Sequence, residues 1–356
     1  MNYKQSLPQR IMKSTVVIAL SIFLSGCFAN DVDKVFADYQ KRMQRLLDEP
    51  AVEPEMPIIP RQPGVSDVRQ NIPEGNISLL ESMRLNQCRA GQLIAQRNSS
   101  LGRVQSVQAR VLYEIEMIPA LTECLQNPDI AESSLGEALA LNLQEKISNL
   151  PLWIDRFWSS EPAIRDTFRP GRSVRDINAN SNIQESLAAL NYFASFFAEI
   201  ADNPHTISLD RNEWQRHMEA LGNGRAIPEL LRTQQHVAGW LVAVTEQLAT
   251  GAQALGCKDD NSNRLAPPQN AEYMQNVLNA VWIQKLQPAL ARWDNEYRQV
   301  NETLQRINPQ VQSAEWHAYL IELFGNDSYI AQTRQLAREH AEEWQAFLSA
   351  CELNVR

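Results

Sequence analysis

Long apolar runs are scarce in this chain of 356 residues. Outside residues 15–24 (TVVIALSIFL), no stretch approaches the roughly 20 apolar residues that a membrane-spanning helix needs. Glycine is also sparse, at 13 residues, and runs of β-branched residues are few. The turn-rich, alternating pattern of an all-β fold is therefore missing. Ala, Leu, Glu, Gln and Arg dominate and favour helix. A hydrophobic share of 44% is enough for a core and excludes wholesale disorder. Basic residues number 33 against 42 acidic ones. Removing Lys4, Arg10 and Lys13 with the leader leaves 30 against 42, a net charge of −12. That balance excludes broad nucleic-acid binding, which needs a basic face. It also excludes adhesion to an anionic membrane by overall charge.

The familiar signatures of chemistry are missing too. There is no HExxH, GxSxG, P-loop or GxGxxG pattern. The histidines are His205, His217, His236, His317 and His340. Glu213 lies one helical turn from His217, and Glu339 and Glu343 bracket His340. Such pairs arise by chance on Glu-rich helices, although they can bind metal or move protons. Ser99 and Ser100 have no partner in sequence. The expectation is therefore no catalytic residue, no metal and no cofactor. A site assembled from distant residues would be invisible at this level.

The N-terminus carries the most specific signal. A polar segment with Lys4, Arg10 and Lys13 precedes the apolar run, and Ser25 and Gly26 precede Cys27. This order is that of a secretory signal peptide over residues 1–26. Leu24-Ser25-Gly26-Cys27 resembles the bacterial lipobox, whose cysteine sulfur receives diacylglycerol and whose freed amine is then acylated, typically with palmitate. Only a thiol can form that thioether, and several acyl chains make a durable anchor. The residue after Cys27 is Phe28, not the Asp that favours inner-membrane retention in enterobacterial lipoproteins. By that resemblance the protein is expected in the inner leaflet of the outer membrane, facing the periplasm.

Four cysteines remain: Cys88, Cys124, Cys257 and Cys351. An even count in an oxidising compartment suggests two disulfides. Of three possible pairings, Cys88–Cys124 and Cys257–Cys351 are preferred. The first pair flanks an expected helical hairpin, and the second joins the ends of two helices. Zinc sites need closer spacings, which are absent.

Periodicity predicts an all-α fold, a bundle of about nine or ten helices with an N-terminal tether. Residues 27–49 form the lipidated cysteine and a short amphipathic helix with Val32, Val35, Phe36, Tyr39, Met43, Leu46 and Leu47 at helical spacing. Residues 50–76 hold Pro50, Pro54, Pro57, Pro60, Pro63 and Pro73, which fix φ and remove donors, so they form an extended linker, part of which is expected to lie in a groove of the main domain through apolar Met56, Ile58 and Ile59. Residues 77–356 form the helical domain. Within it, helices are expected at 78–98, 104–126, 132–149, 151–168 with a break at Pro162, 181–201, 210–221, 227–255, 269–307 with a kink at Pro288, 312–324 and 327–352.

Two arginine-rich places are candidate anion- or partner-binding sites. One is the loop from Arg97 to Arg103, where Gly102 permits a sharp turn. The other is Arg165, Arg169, Arg172 and Arg175 around Pro170-Gly171. Guanidinium forks suit phosphate and carboxylate. A solvated or internally paired role competes with that reading at each. The eight tryptophans fall mostly on apolar helix faces and are read as core rather than glycan-stacking surfaces.

The lipobox, the Pro-rich stretch after a short helix, and the run Cys88…Leu93-Ile94-Ala95-Gln96-Arg97-Asn98-Ser99-Ser100-Leu101-Gly102-Arg103 with Tyr113-Glu114 and Cys124-Leu125 resemble one family. It is an uncharacterised family of Gram-negative bacterial lipoproteins, domain of unknown function 3080. The resemblance covers nearly the whole mature chain and implies an address, with no activity to carry over. The functional expectation is a lipid-anchored, non-enzymatic adaptor or scaffold. It would bind the membrane through its lipid and another envelope protein or glycan, and no nucleic acid. The alternatives are an envelope hydrolase with a site built from distant residues, or a carrier of lipid or another small ligand.

Overall fold

A computed structural model describes residues 31–73, 85, 88–100, 102, 105–257 and 266–354. The signal segment, Cys27, Arg103 and the start of the expected helix at 78–98 lie outside these residues. Among the described residues the fold is all-α, with eleven helices and no strand. One isolated bridge joins Asp31 to Asp176.

The helices are α1 (Val32–Leu47), α2 (Arg89–Asn98), α3 (Val107–Cys124), α4 (Ser134–Ser160), α5 (Pro162–Thr167), α6 (Ile183–Asp202), α7 (Arg211–Asn223), α8 (Ala226–Ala249), α9, α10 (Ala314–Phe324) and α11 (Tyr329–Ala350). Helix α9 has three successive parts: Gln269–Val277, a π-helical part Leu278–Leu286, and Gln287–Ile307. Side-chain caps start several helices. Asp31 accepts from the Lys34 N–H, Ser106 from Ala109, Ser133 from Gly136 and Ser328 from Ala331. Each satisfies an N–H that has no partner within its helix.

The prolines divide into breaks and accommodations. Pro162 opens α5 at a position whose N–H is not needed. Pro151, expected to begin a new helix, lies inside an unbroken α4. Leu150, Trp153, Ile154 and Phe157 are buried on either side of it, so packing of that face outweighs the lost hydrogen bond. Pro288 is met by a change of helix type. The preceding turns widen to π, and the Gln287 N–H reaches back to Trp282 O, absorbing the ring that would otherwise strike the preceding turn.

The helix that the sequence sets apart before the linker is built into the body. Val32, Phe36, Tyr39 and Met43 of α1 have no exposed surface. The α1 face packs on α8 and α9, and Phe36 stacks on Trp240 at 6.0 Å. Residues 50–73 do not hang free either. They run along the body as a strap whose carbonyls accept from helix side chains: Gln40 at Val52 O (2.6 Å), Gln235 at Pro57 O (2.6 Å), Arg165 at Pro63 O, Arg156 at Gln70 O and Asn149 at Pro73 O (3.1 Å). An extended Pro-rich segment without a sheet partner needs such donors. Gly239 lets it lie close, since a Cβ there would fall 2.7 Å from Met56 Sδ.

Both expected disulfides are present, Cys88–Cys124 across the α2–α3 hairpin and Cys257–Cys351 between the segment that follows α8 and the end of α11. All eight tryptophans are buried. Trp158 and Trp214 join Phe157, Phe193 and Phe197 in an edge-to-face cluster between α4, α6 and α7.

His340 is the buried polar centre of the α1, α8, α9 and α11 contact. Tyr39 donates to His340 Nε2 (2.9 Å), and Nδ1 faces Thr245 Oγ1 (2.9 Å). Trp344 Nε1 donates to the Tyr39 oxygen at 2.6 Å, and the Trp282 ring lies 4.4 Å away. With Nε2 receiving a proton and Nδ1 giving one, the ring is neutral. Burial holds its pKa down to about 3. An unfolded histidine titrates near 6.5, so between roughly pH 6.5 and pH 3 the unfolded chain binds a proton that the folded chain refuses. Stability contributed by the neutral ring is therefore complete above about pH 6.5 and is lost as pH falls below it. The unfolding free energy from urea titration is expected to decline from pH 7 to pH 4, with a slope approaching about 1.4 kcal/mol per pH unit from this group. In His340→Gln the decline is shallower. Equal slopes in the two proteins would remove His340 as its source.

Candidate functional site

Four arginines from four separate segments meet at one cavity. Arg69 follows the single turn Val65–Val68 of the strap, Arg97 ends α2, Arg110 lies near the start of α3 and Arg156 lies on α4. The cavity has a volume of about 310 Å³ and is also lined by Ser106, Trp153 and Ser160. Among the described lining residues there is no carboxylate.

Local structure explains the convergence. Gly102 sits where a Cβ would collide with the carbonyls of Gln96 and Arg97, so the chain turns tightly over the end of α2. Ser99 Oγ accepts from the Gly102 N–H at 3.0 Å and donates to Gln96 O at 2.7 Å. Ser106 then starts α3, and the Gln108 N–H is taken by Glu161 Oε2 at 3.1 Å. Burial raises the Glu161 pKa even though backbone N–H groups of Gln108 and Ala163 favour its charge.

Aromatic rings position the guanidiniums. Arg110 lies 4.9 Å and Arg156 4.7 Å from the Trp153 ring centre, while Arg97 lies 5.5 Å from that of Tyr113. Arg110 also pairs with buried Glu114 at 2.7 Å, and Lys146 neutralises the same carboxylate at 2.6 Å. Ion pairing and ring stacking thus fix the walls, as binding of a rigid anion requires.

The second arginine group is dispersed. Arg165 is buried against Trp316 and donates to Ser159 O (2.7 Å) and Pro63 O. Arg169 holds Gln62 (2.8 Å) and Asp166 (3.0 Å). Arg175 is buried on Glu296 and Ala226 O. Arg172 is exposed. Three of the four therefore fasten the strap and the polar loop to the body.

Other candidates are weaker. A cavity of about 460 Å³ near the starts of α6 and α8 mixes Arg175 and Arg225 with Asp176, Glu185 and Glu229. A groove of about 280 Å³ between α9 and α11 is largely apolar. His217 lies 3.9 Å from Glu213 and stacks on Tyr192, and burial lowers its pKa. His236 meets Asp33 at 2.9 Å. Burial pushes the Asp33 pKa up, and hydrogen bonds from His236 and Trp240 outweigh it, leaving the carboxyl below its usual range. Among the described residues, no three His, Cys, Asp or Glu side chains form a group that could hold a metal ion.

Sequence reading finds Arg97 by its loop and misses Arg69, Arg110 and Arg156. One local signal was available for Arg110: a cation beside a helix N-terminus opposes the helix dipole and needs an outside reason.

A family model described as "Protein of unknown function (DUF3080)" matches residues 36–355. No curated protein and no solved structure matches the chain.

Proposed function

The chain belongs to this family of unknown function, DUF3080, and from that premise we propose a lipid-anchored envelope adaptor that binds an anionic component of its surroundings through the arginine cavity. The single observation that carries the reading is the meeting of four arginines at that cavity, with no carboxylate among its described lining residues, in a protein of net charge −9. Opposite charge gathered in one concave place favours an anionic partner. The address rests on the Leu24–Cys27 pattern. No described helix is long and apolar enough to cross a membrane.

The test is fractionation of Gram-negative cells expressing the full chain, followed by capture of bound envelope components. The wild type should sediment with membranes, partition into detergent and begin at an acylated Cys27. Cys27→Ser should lose the acyl groups. Arg69→Ala/Arg97→Ala should lose the captured component, and Arg169→Ala/Arg172→Ala should keep it. An intact leader without acyl groups would overturn the address. Unchanged capture by the first double variant would overturn the cavity's role.

A further inference from the structure

We infer that the groove between α9 and α11 binds a free fatty acid, its chain on the apolar walls and its carboxylate on Arg338 and Gln234. The site is separate from the arginine cavity, and its occupancy does not depend on the adaptor reading.

Shape and lining select the body of the ligand. The groove runs from Trp282, whose ring meets His340 at 4.4 Å, to Asp294, which holds Arg334 at 2.7 Å. Helices α9 and α11 supply its two long walls. Trp282, Leu290, Ala291, Ile330, Ala337 and Ala341 give those walls carbon surface. Ala337 and Ala341 lie one turn apart on one face of α11, and their small side chains leave a trough there. A trough along two helices takes a chain lengthwise. At about 280 Å³ it lies just under the usual range of organic-ligand sites, roughly 300–1,000 Å³. That size suits one chain, not the two of a membrane lipid.

Two polar side chains in this lining have bonding capacity to spare. Gln234 comes from α8, is only 3% exposed, and its Oε1 is buried with no hydrogen-bond partner. A buried carboxamide left in that state costs stability. A half-turn of the carboxamide exchanges its oxygen and its NH2, so the same group can donate to an anion. Arg338 is exposed and, among the described residues, joins no ion pair, although Glu342 lies one helical turn on.

The charge at the groove is that of one guanidinium. Arg334 is neutralised by Asp294, which also meets Arg298 at 3.5 Å. Arg338 is left over. A single guanidinium fork offers two parallel N–H groups to two coplanar oxygens. A carboxylate, with one negative charge, matches it in number and in shape. A phosphate monoester, at about −1.5 to −2, brings charge that nothing in the groove offsets.

The experiment is titration calorimetry of the purified full chain with decanoate, decanol and butyrate. Saturable binding of decanoate is expected, about tenfold tighter than decanol, the worth of one charge-assisted hydrogen bond. Butyrate keeps the head and loses most of the chain. It should bind too weakly to saturate, since each buried methylene removed costs about fourfold. Arg338→Ala and Gln234→Leu should each weaken decanoate about tenfold. Ala291→Trp fills the trough from an exposed position and should abolish binding of both decanoate and decanol. Each variant is checked for an unchanged circular dichroism spectrum, and Arg338→Ala, altering an exposed side chain, serves should the other two disturb folding. No saturable decanoate binding, equal binding of decanol or of butyrate, or full decanoate binding by any folded variant would each overturn the inference.

Discussion

Replacing Tyr39 by alanine is expected to lower the unfolding free energy by about 3–5 kcal/mol, the range for removing a large buried aromatic. Tyr39 has no exposed surface, lies against Trp282 and His340, and hydrogen-bonds both His340 and Trp344. Truncation leaves a cavity and strips His340 Nε2 of its hydroxyl donor. Tyr39→Phe separates the two effects. It keeps the ring and leaves His340 Nε2 the Trp344 Nε1–H at 3.1 Å, so its cost should be closer to about 1 kcal/mol, the net contribution of a hydrogen bond. Urea unfolding of the full chain followed by tryptophan fluorescence measures both. A Tyr39→Ala loss below about 1 kcal/mol, well under the usual range, would mean that α1 is only loosely attached.

Loss of the Cys257–Cys351 bridge should cost about 4–5 kcal/mol in Cys257→Ser/Cys351→Ser, from the chain entropy that a long closed loop withholds from the unfolded state. The bridged cysteines are 94 residues apart. The bridge joins the segment that follows α8 to the end of α11, and these two helices pack extensively on one another. Cys88–Cys124 closes only 36 residues, so its removal should cost about 3–4 kcal/mol by the same reasoning. Thermal unfolding of the two double-serine variants, each checked for the remaining bridge by mass, tests the order. A smaller loss for the longer loop would show that packing around the bridge, not loop entropy, sets its contribution.

Fold class was legible because it depends on local repetition. The α1 spacing of Phe36, Tyr39 and Met43 marks a buried stripe without help from the rest of the chain. Both cysteine pairings followed from where helices end. What the stripe would pack against was not legible, because α8 lies about 200 residues away in sequence. The docking of the Pro-rich segment depends on Gln235, Arg165, Arg156 and Asn149, donors scattered over distant helices. Pro151 misled because a proline's local cost is visible in sequence and the compensating burial of Trp153 and Phe157 is not.

The site was the least legible part, and the reason is the same. Arg165, Arg169, Arg172 and Arg175 are near one another in sequence, and the structure sends three of them to internal partners. Arg69, Arg97, Arg110 and Arg156 are spread over four segments, and the fold brings them to one cavity. Sequence proximity thus marked a group that mainly fastens the loops, while the convergent group lay in the tertiary arrangement.

The docking of α1 has a consequence for reach. Asp31 caps a helix that is already part of the body, so an anchor proposed at Cys27 would lie four residues from it in sequence. Four residues at full stretch span at most about 14 Å. With Cys27 acylated as proposed, the protein stands with its footing at the lipid surface. It cannot swing out on a long stalk, so the components it meets are those within a molecular diameter of its own leaflet.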